Sequence, residues 1–378
     1  MKKHILILFS FLSLTIADSL EEYLTYKRSG YIDIRGTVSE HKTSMKNEIG
    51  LNNDLYIGDN VRVTFTPIIK TYNYNNSHNH NVSEKYVLFY MNELFFSYNL
   101  NTNLIISAGI FSGKNNWLNI SNSKYSSTGL GLYGISEISM QSVILTYMKD
   151  NMEINFYAGS FNKFVNGYLL SNKNNDIKKG IDAFKGSNAA GIYGKYVVDD
   201  KNTMYYQYHH IRVKEEKRNP LIIDTISIGW LWDDKLHSGL QLYGLGAISK
   251  INKNDIEGTR YAYMQYENDI SYYLMLGSKY DIDNLLFNKD TELGVEYTYA
   301  SRNHMKTSLA VNEYPAMFSE SGHHVLLYGG VYVNNNTKIR LRYFYHDSGK
   351  INKAMESIEK IKELKHYHAL QLQLCIFY

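Results

Sequence analysis

The chain holds one cysteine, Cys375, and three prolines among its 378 residues. A single thiol excludes an internal disulfide framework, and scarce proline leaves room for long strands with unbroken hydrogen-bond ladders. After residue 17 there is no long apolar run, so nothing further reaches the roughly 20 residues that a membrane-spanning helix needs. A strong charge of either sign is also missing. Lys and Arg number 40 against 37 Asp and Glu, which removes the electrostatic footprint of a nucleic-acid binder. Catalytic signatures are absent too: no Gly-x-Ser-x-Gly, no P-loop and no His-Glu-x-x-His. The expectation is a non-enzyme without catalytic residues, metal or cofactor. What abounds is tyrosine, 35 residues of it, suited to surfaces that are apolar at one end and wet at the other, as at membrane interfaces.

The N-terminus points to export. Lys2, Lys3 and His4 precede an apolar run over residues 5–16 that only Ser10, Ser13 and Thr15 interrupt, and Ala17 meets the acidic stretch from Asp18 to Glu22. This is the pattern of a secretory signal peptide, with cleavage expected after Ala17. The run is too short for an anchor helix. The expected organisation is a signal peptide over 1–17, a short periplasmic leader over 18–29 and one β-barrel domain over 30–378.

From Gly30 onward the hydrophobic pattern has period two. Segments of about ten residues recur, the length of a tilted strand crossing a bilayer. The spacing predicts strands over 31–40, 61–72, 92–99, 104–111, 140–148, 153–161, 190–198, 204–213, 222–232, 238–249, 271–280, 291–301, 324–333, 338–346 and 367–378, with a less regular one over 48–57. Alternate connections are short and rich in Asp, Asn and Lys, such as Gly58-Asp59-Asn60, Lys149-Asp150-Asn151 and Asn334-Asn335-Asn336, residues that supply hairpin geometry. The others are long: 73–85, 112–136, 162–187, 250–259, 302–322 and 347–365. Short turns on one rim and long loops on the other is the asymmetry of outer-membrane barrels. The expected fold is all-β, a transmembrane antiparallel barrel of about 16 strands. The turn over 281–290 is long for its set, and 260–269 reads either as a long strand start or as a separate strand, which keeps a count of 18 open.

The two faces differ in character. Over 338–346 the odd positions are Ile339, Leu341, Tyr343 and Tyr345, whereas the even ones include Lys338, Arg340, Arg342 and His346. Ile32 and Ile34 oppose Asp33, Arg35 and Thr37 in the same way, as Val61, Val63 and Phe65 oppose Arg62, Thr64 and Thr66. A wall between lipid and an enclosed aqueous space accounts for both faces. At the C-terminus Leu370, Leu372, Leu374, Ile376 and Tyr378 alternate with Ala369, Gln371, Gln373 and Cys375. That strand resembles the C-terminal assembly signal of bacterial outer-membrane proteins, which implies outer-membrane lipid and the barrel assembly machinery as partners.

The opening Ser19-Leu20-Glu21-Glu22-Tyr23-Leu24, then Ser29-Gly30-Tyr31-Ile32-Asp33-Ile34-Arg35-Gly36, resembles substrate-specific porins and campylobacter-type major outer-membrane porins. The segment over 293–303 resembles a strand of porin-like proteins from campylobacter relatives. These stretches are short and degenerate, so no individual binding residue is carried over. The resemblance implies passive diffusion of ions and small hydrophilic solutes across the bacterial outer membrane. A homotrimer is the commoner porin assembly, but no interface is legible in one sequence. The alternative function is a structural or adhesive barrel with a closed lumen.

Within a pore, Arg35, Arg62, Lys338, Arg340 and Arg342 are the expected basic lining residues. Patches of Arg bias a pore toward anions, unless acids such as Asp33 and Glu296 cancel them. The loop over 112–136, with Gly113, Lys114, Asn115, Asn116 and Asn119, is the candidate constriction, and an external loop is the equal alternative. The loop over 162–187, with Lys173, Lys178 and Lys179, is its rival. His78 and His80 lie in a polar loop and read as solvated side chains. His209-His210 and His323-His324 point to opposite strand faces and make poor chelators. Ile351, Met355, Ile358, Ile361 and Leu364 carry a helical period in the last loop, suited to packing on the barrel mouth.

Overall fold

A computed structural model of the chain describes residues 24–39, 42–76, 83–112, 139–160, 168–171, 188–213, 221–251, 270–301, 322–347 and 366–378. The first four strands are 16 or 17 residues long: β1 (Leu24–Ser39), β2 (Lys42–Ile57), β3 (Val61–Asn76) and β4 (Ser83–Asn99). A lower stretch of wall follows, β5 (Leu104–Ser112), β6 (Ser139–Lys149) and β7 (Met152–Ser160), of nine to eleven residues each. Next come the short β8 (Tyr168–Ser171), then β9 (Asn188–Val197), β10 (Asn202–Val213) and β11 (Leu221–Asp234). One helical turn, α1 (Lys235–Ser238), leads to β12 (Leu240–Ile251), β13 (Ile270–Leu286) and β14 (Lys289–Ala300). The wall ends with β15 (Gly322–Asn334), β16 (Thr337–Asp347) and β17 (His366–Phe377).

Every neighbour pair is antiparallel, and β17 pairs with β1, so the sheet closes on itself. β8 stands outside the ring because β7 pairs directly with β9. The barrel therefore has 16 strands. Closure removes the unpaired edges that an open sheet of this size would expose. Both described ends meet at one rim, where Gly30 and Tyr378 exchange backbone hydrogen bonds of 2.7 and 3.1 Å.

Turn chemistry explains the tight rim. Gly58 and Asp150 adopt left-handed backbone at φ of 57° and 50°, conformations that Gly takes freely and Asp tolerates. Two expectations change. The long turn expected over 281–290 is an extended hairpin, with β13 running to Leu286 and a register shift between Ile282 and Leu286. Asn284 and Asn288 absorb it with φ of 53° and 54°. The wall also begins earlier than Gly30, since residues from Leu24 onward pair with β2 up to Ile57. The expected extra strand over 260–269 lies outside the described residues.

β4 is twice as long as expected, and Pro67 on its partner shows why the pattern was obscured. Register shifts between Thr66 and Pro67, a bulge where a residue without an N–H is tolerated. Beyond the bulge the alternation of faces is out of phase. Here β5 no longer covers the second edge of β4. Instead β8 pairs antiparallel with residues 87–89, so part of the connection from β7 to β9 lies against β4.

Large tyrosines lie over glycines on neighbouring strands. A Cβ at Gly277 would come within 2.3 Å of the Tyr243 ring, and one at Gly294 within 2.1 Å of Tyr328. Only a residue without a side chain admits the ring at those sites.

The outer surface of the described strands is predominantly apolar. On β16 Ile339 and Leu341 are 42% and 50% exposed, whereas Lys338, Arg340 and Arg342 are 3%, 3% and 2% exposed. Ile226, Ile228, Leu276 and Leu372 continue the exposed belt around the barrel. Such a continuous apolar surface is far larger than a water-soluble monomer carries and suits a lipid environment. Tyrosine–histidine pairs border it on the long-loop side: the Tyr297 hydroxyl lies 2.7 Å from His323 Nδ1, and the Tyr343 hydroxyl meets His368 in the same way.

Candidate functional site: the inner wall

Strand register brings distant inner residues into rows. One row runs Glu292, Gly330, Arg340, Gln373, Arg35 and Lys46 across β14, β15, β16, β17, β1 and β2. The next row toward the short-turn rim runs Tyr332, Lys338, Cys375, Asp33, Glu48 and Lys70. The row on the other side holds Gly294, Tyr328, Arg342, Gln371 and Thr37. Farther along, Leu326, Phe344 and Ala369 pack with Tyr328 into an apolar cluster. Among the described residues, buried charge is thus densest in a band spanning the barrel closure.

Within that band cations and acids interleave. Glu292 accepts from Arg340 Nε at 2.5 Å and from Lys338, with Lys279 Nζ 3.6 Å away. Lys279 reaches Asp281 at 3.0 Å. Asp33 accepts from Arg35 and, at 2.9 Å, from Gln373. Glu48 takes Tyr31 at 2.6 Å, Lys70 at 3.2 Å and Lys46 at 3.5 Å. Arg342 donates to Gln371 at 3.1 Å, and Gln371 donates on to Thr37 at 2.9 Å. Burial forces this arrangement, because a charge removed from water is tolerated only with partners. A buried ion pair adds little stability by itself, but removing one member is costly.

The five basic residues singled out from the sequence therefore divide. Arg35, Lys338, Arg340 and Arg342 face inward, lie close together across the closure and are nearly fully buried. Arg62 also faces inward, on β3, but its side chain is 43% exposed. It holds Asp54 Oδ1 through Nε at 3.1 Å and Nη2 at 2.9 Å, and Thr64 donates to the same oxygen at 2.6 Å. Gly113, Lys114, Asn115, Asn116 and Asn119 lie outside the described residues, as do His78, His80 and the helical period over 351–364. His209 faces inward and contacts the Tyr157 hydroxyl, whereas His210 faces outward, 2.8 Å from Asp224. Among the described residues no group of His, Cys, Asp and Glu is arranged to hold a metal.

Several contributors are missing from the sequence reading. Lys46, Glu48 and Lys70 share the parity of the inner face, a signal that was available. Glu292 and Gly330 acquire their role only through cross-strand register, which no local pattern announces.

Beside Arg62 the inner wall opens into an alcove of about 400 Å³. Phe95 and Phe111 stack there with centroids 4.6 Å apart, and Ser97 and Ser107 share a hydrogen bond of 2.7 Å.

The closed 16-stranded ring has counterparts among solved structures. The fold is that of the bacterial outer-membrane porins. OmpF from Salmonella typhi superposes with a TM-score of 0.61 at 10% identity, over 93% of this chain and 97% of that one. The anion-selective porin from Comamonas acidovorans gives 0.54 at 11%, over 94% and 100%. The trimer form of OmpT from Vibrio cholerae gives 0.52 at 11%, over 94% and 100%. No family model matches the sequence, and neither does any curated protein. The porin likeness thus resides in the backbone, not in shared residues.

Proposed function

We propose that the protein is a passive pore of the bacterial outer membrane, conducting ions and small hydrophilic solutes through a water-filled lumen and catalysing no reaction. The carrying observation is the strand count joined to the facing: 16 strands leave an aqueous channel, where about eight would be filled by side chains. In this reading residues 1–17 direct export and are cleaved after Ala17. The strand ending in Leu370, Leu372, Leu374, Ile376 and Tyr378 addresses the chain to the barrel assembly machinery. Gly113, Lys114, Asn115, Asn116 and Asn119 form the constriction. Kinship with campylobacter-type porins rests on the segments around 31–36 and 293–303. The trimer form of the Vibrio OmpT supports a homotrimer.

A barrel with a closed lumen, acting through its loops, is the second reading. One observation favours it: Glu292 and Gln373 expose none of their surface. Swelling of liposomes containing the purified protein separates the two. A pore gives swelling rates that fall as the solute grows larger, whereas a closed barrel gives no swelling with any solute.

A further inference from the structure

We propose that the alcove beside Arg62 is a binding subsite for a neutral, ring-bearing polyhydroxylated solute of monosaccharide size. It deepens the pore reading and rests on it. The alcove lies toward the short-turn rim, between the turn at Asp59 and Asn60 and the inner faces of β2 to β6 and β9. Its volume of about 400 Å³ falls within the usual range for small-molecule sites. This wall differs in kind from the sealed charge band across the closure: here the aromatic faces and Arg62 are only half-buried.

The lining joins two chemistries. Phe95 and Phe111 stack at 4.6 Å with planes 22° apart, and Tyr193 shares the alcove. The Arg62 guanidinium lies 5.8 Å from the Tyr56 ring centre and 5.9 Å from that of Phe95. These rings offer an apolar platform to the C–H face of a sugar ring. Around it stand short polar groups: Ser97, Ser107, Thr146, Asn60 and Asn99. Arg62, held in place by Asp54, supplies a donor and Asp59 a carboxylate acceptor along the same lining, the two kinds of partner that sugar hydroxyls use.

Charge selects the neutral class. Arg62 is matched by Asp54, and Lys195 is matched by Glu153 at 3.2 Å on the adjoining β7 and β9. Asp59 also borders the alcove, so an anion gains no net attraction. Fixed polar groups arranged around an aromatic face give orientation without a net field.

The test uses the full mature protein in a planar bilayer, with glucose as the probe. Glucose should reduce the KCl current saturably. Phe95→Ala should raise the half-saturating concentration about tenfold, the equivalent of one lost aromatic contact, while Phe95→Tyr should retain binding. Heat-dependent gel mobility checks that each variant is a folded barrel. An open channel whose current is indifferent to glucose at every concentration would overturn the subsite and leave the pore reading standing. Tenfold tighter block by glucuronate than by glucose would overturn the neutral class. No KCl current from the folded protein would overturn the pore reading, and the subsite with it.

Discussion

The Glu292 carboxylate reaches the Arg340 guanidinium, Oε1 to Nε at 2.5 Å, by crossing above Gly330 on the strand between them. A Cβ at residue 330 would lie 2.8 Å from that same oxygen and 3.1 Å from Glu292 Cγ. Gly330→Ala should therefore displace a carboxylate that three cations hold in place, at a cost of about 1–3 kcal/mol. Gly36→Ala, where nothing lies within 4 Å, should stay within about 0.5 kcal/mol. Denaturant unfolding in detergent micelles measures both, and equal effects would refute the crossing.

Removing the carboxylate itself is more severe. Glu292→Gln leaves Lys338, Arg340 and Lys279 facing one another in a buried band, and a loss of about 3–5 kcal/mol is expected. Adding Lys338→Met should restore part of it, since the surplus charge is then reduced. The temperature at which the folded barrel loses its gel mobility reports the order. A double variant less stable than Glu292→Gln would contradict the ion-pair explanation.

The inner arginines should differ in their effect on selectivity. Arg62 is half-exposed, whereas Arg342 is buried and donates to Gln371. Arg62→Gln should move the reversal potential in a salt gradient toward cation preference. Arg342→Gln should move it much less. The reverse ranking would mean that the charge band, not the Arg62 side of the lumen, faces the permeating ions.

On the outer face, Leu341→Arg should destabilise the barrel by about 2–4 kcal/mol if residue 341 lies near the bilayer midplane. Its neighbour Arg340, one residue away, points to the opposite side. Unfolding from lipid vesicles checks the cost, and a neutral outcome would place Leu341 outside the hydrocarbon.

The turn before β10 has its own pH signature. Backbone N–H donation from Lys201, then the amide of Asn202, holds the Asp199 carboxyl below its ordinary value of 3.8. Because the folded form favours the carboxylate, its contribution is complete above the unfolded value and is lost as pH falls through the lower folded one. Carbon-13 NMR of the Asp199 carboxyl should show titration below 3.8. A midpoint at or above that value would disprove the turn geometry.

Much of the architecture was legible because a barrel wall writes its two solvents into alternate residues. The segment around Lys338 to Arg342 and the final strand declared their faces without help from distant residues. β2 was harder to read because Asn47 and Asn53 sit on its outer face, where Asn47 donates to Thr71 at 3.1 Å and Asn53 to the Phe65 carbonyl at 3.1 Å. The first half of β4 was lost beyond the Pro67 bulge, where face and parity part company. Site residues were legible as types but not as a constellation. Nothing local to Glu292 foretells Arg340, 48 residues away, because their meeting depends on register and on Gly330.

Current through a planar bilayer holding the purified, folded protein is the most direct trial of a lumen open to water. Discrete, ohmic steps in KCl are expected as single barrels insert. A membrane that stays silent, although the protein is demonstrably folded and inserted, would contradict it.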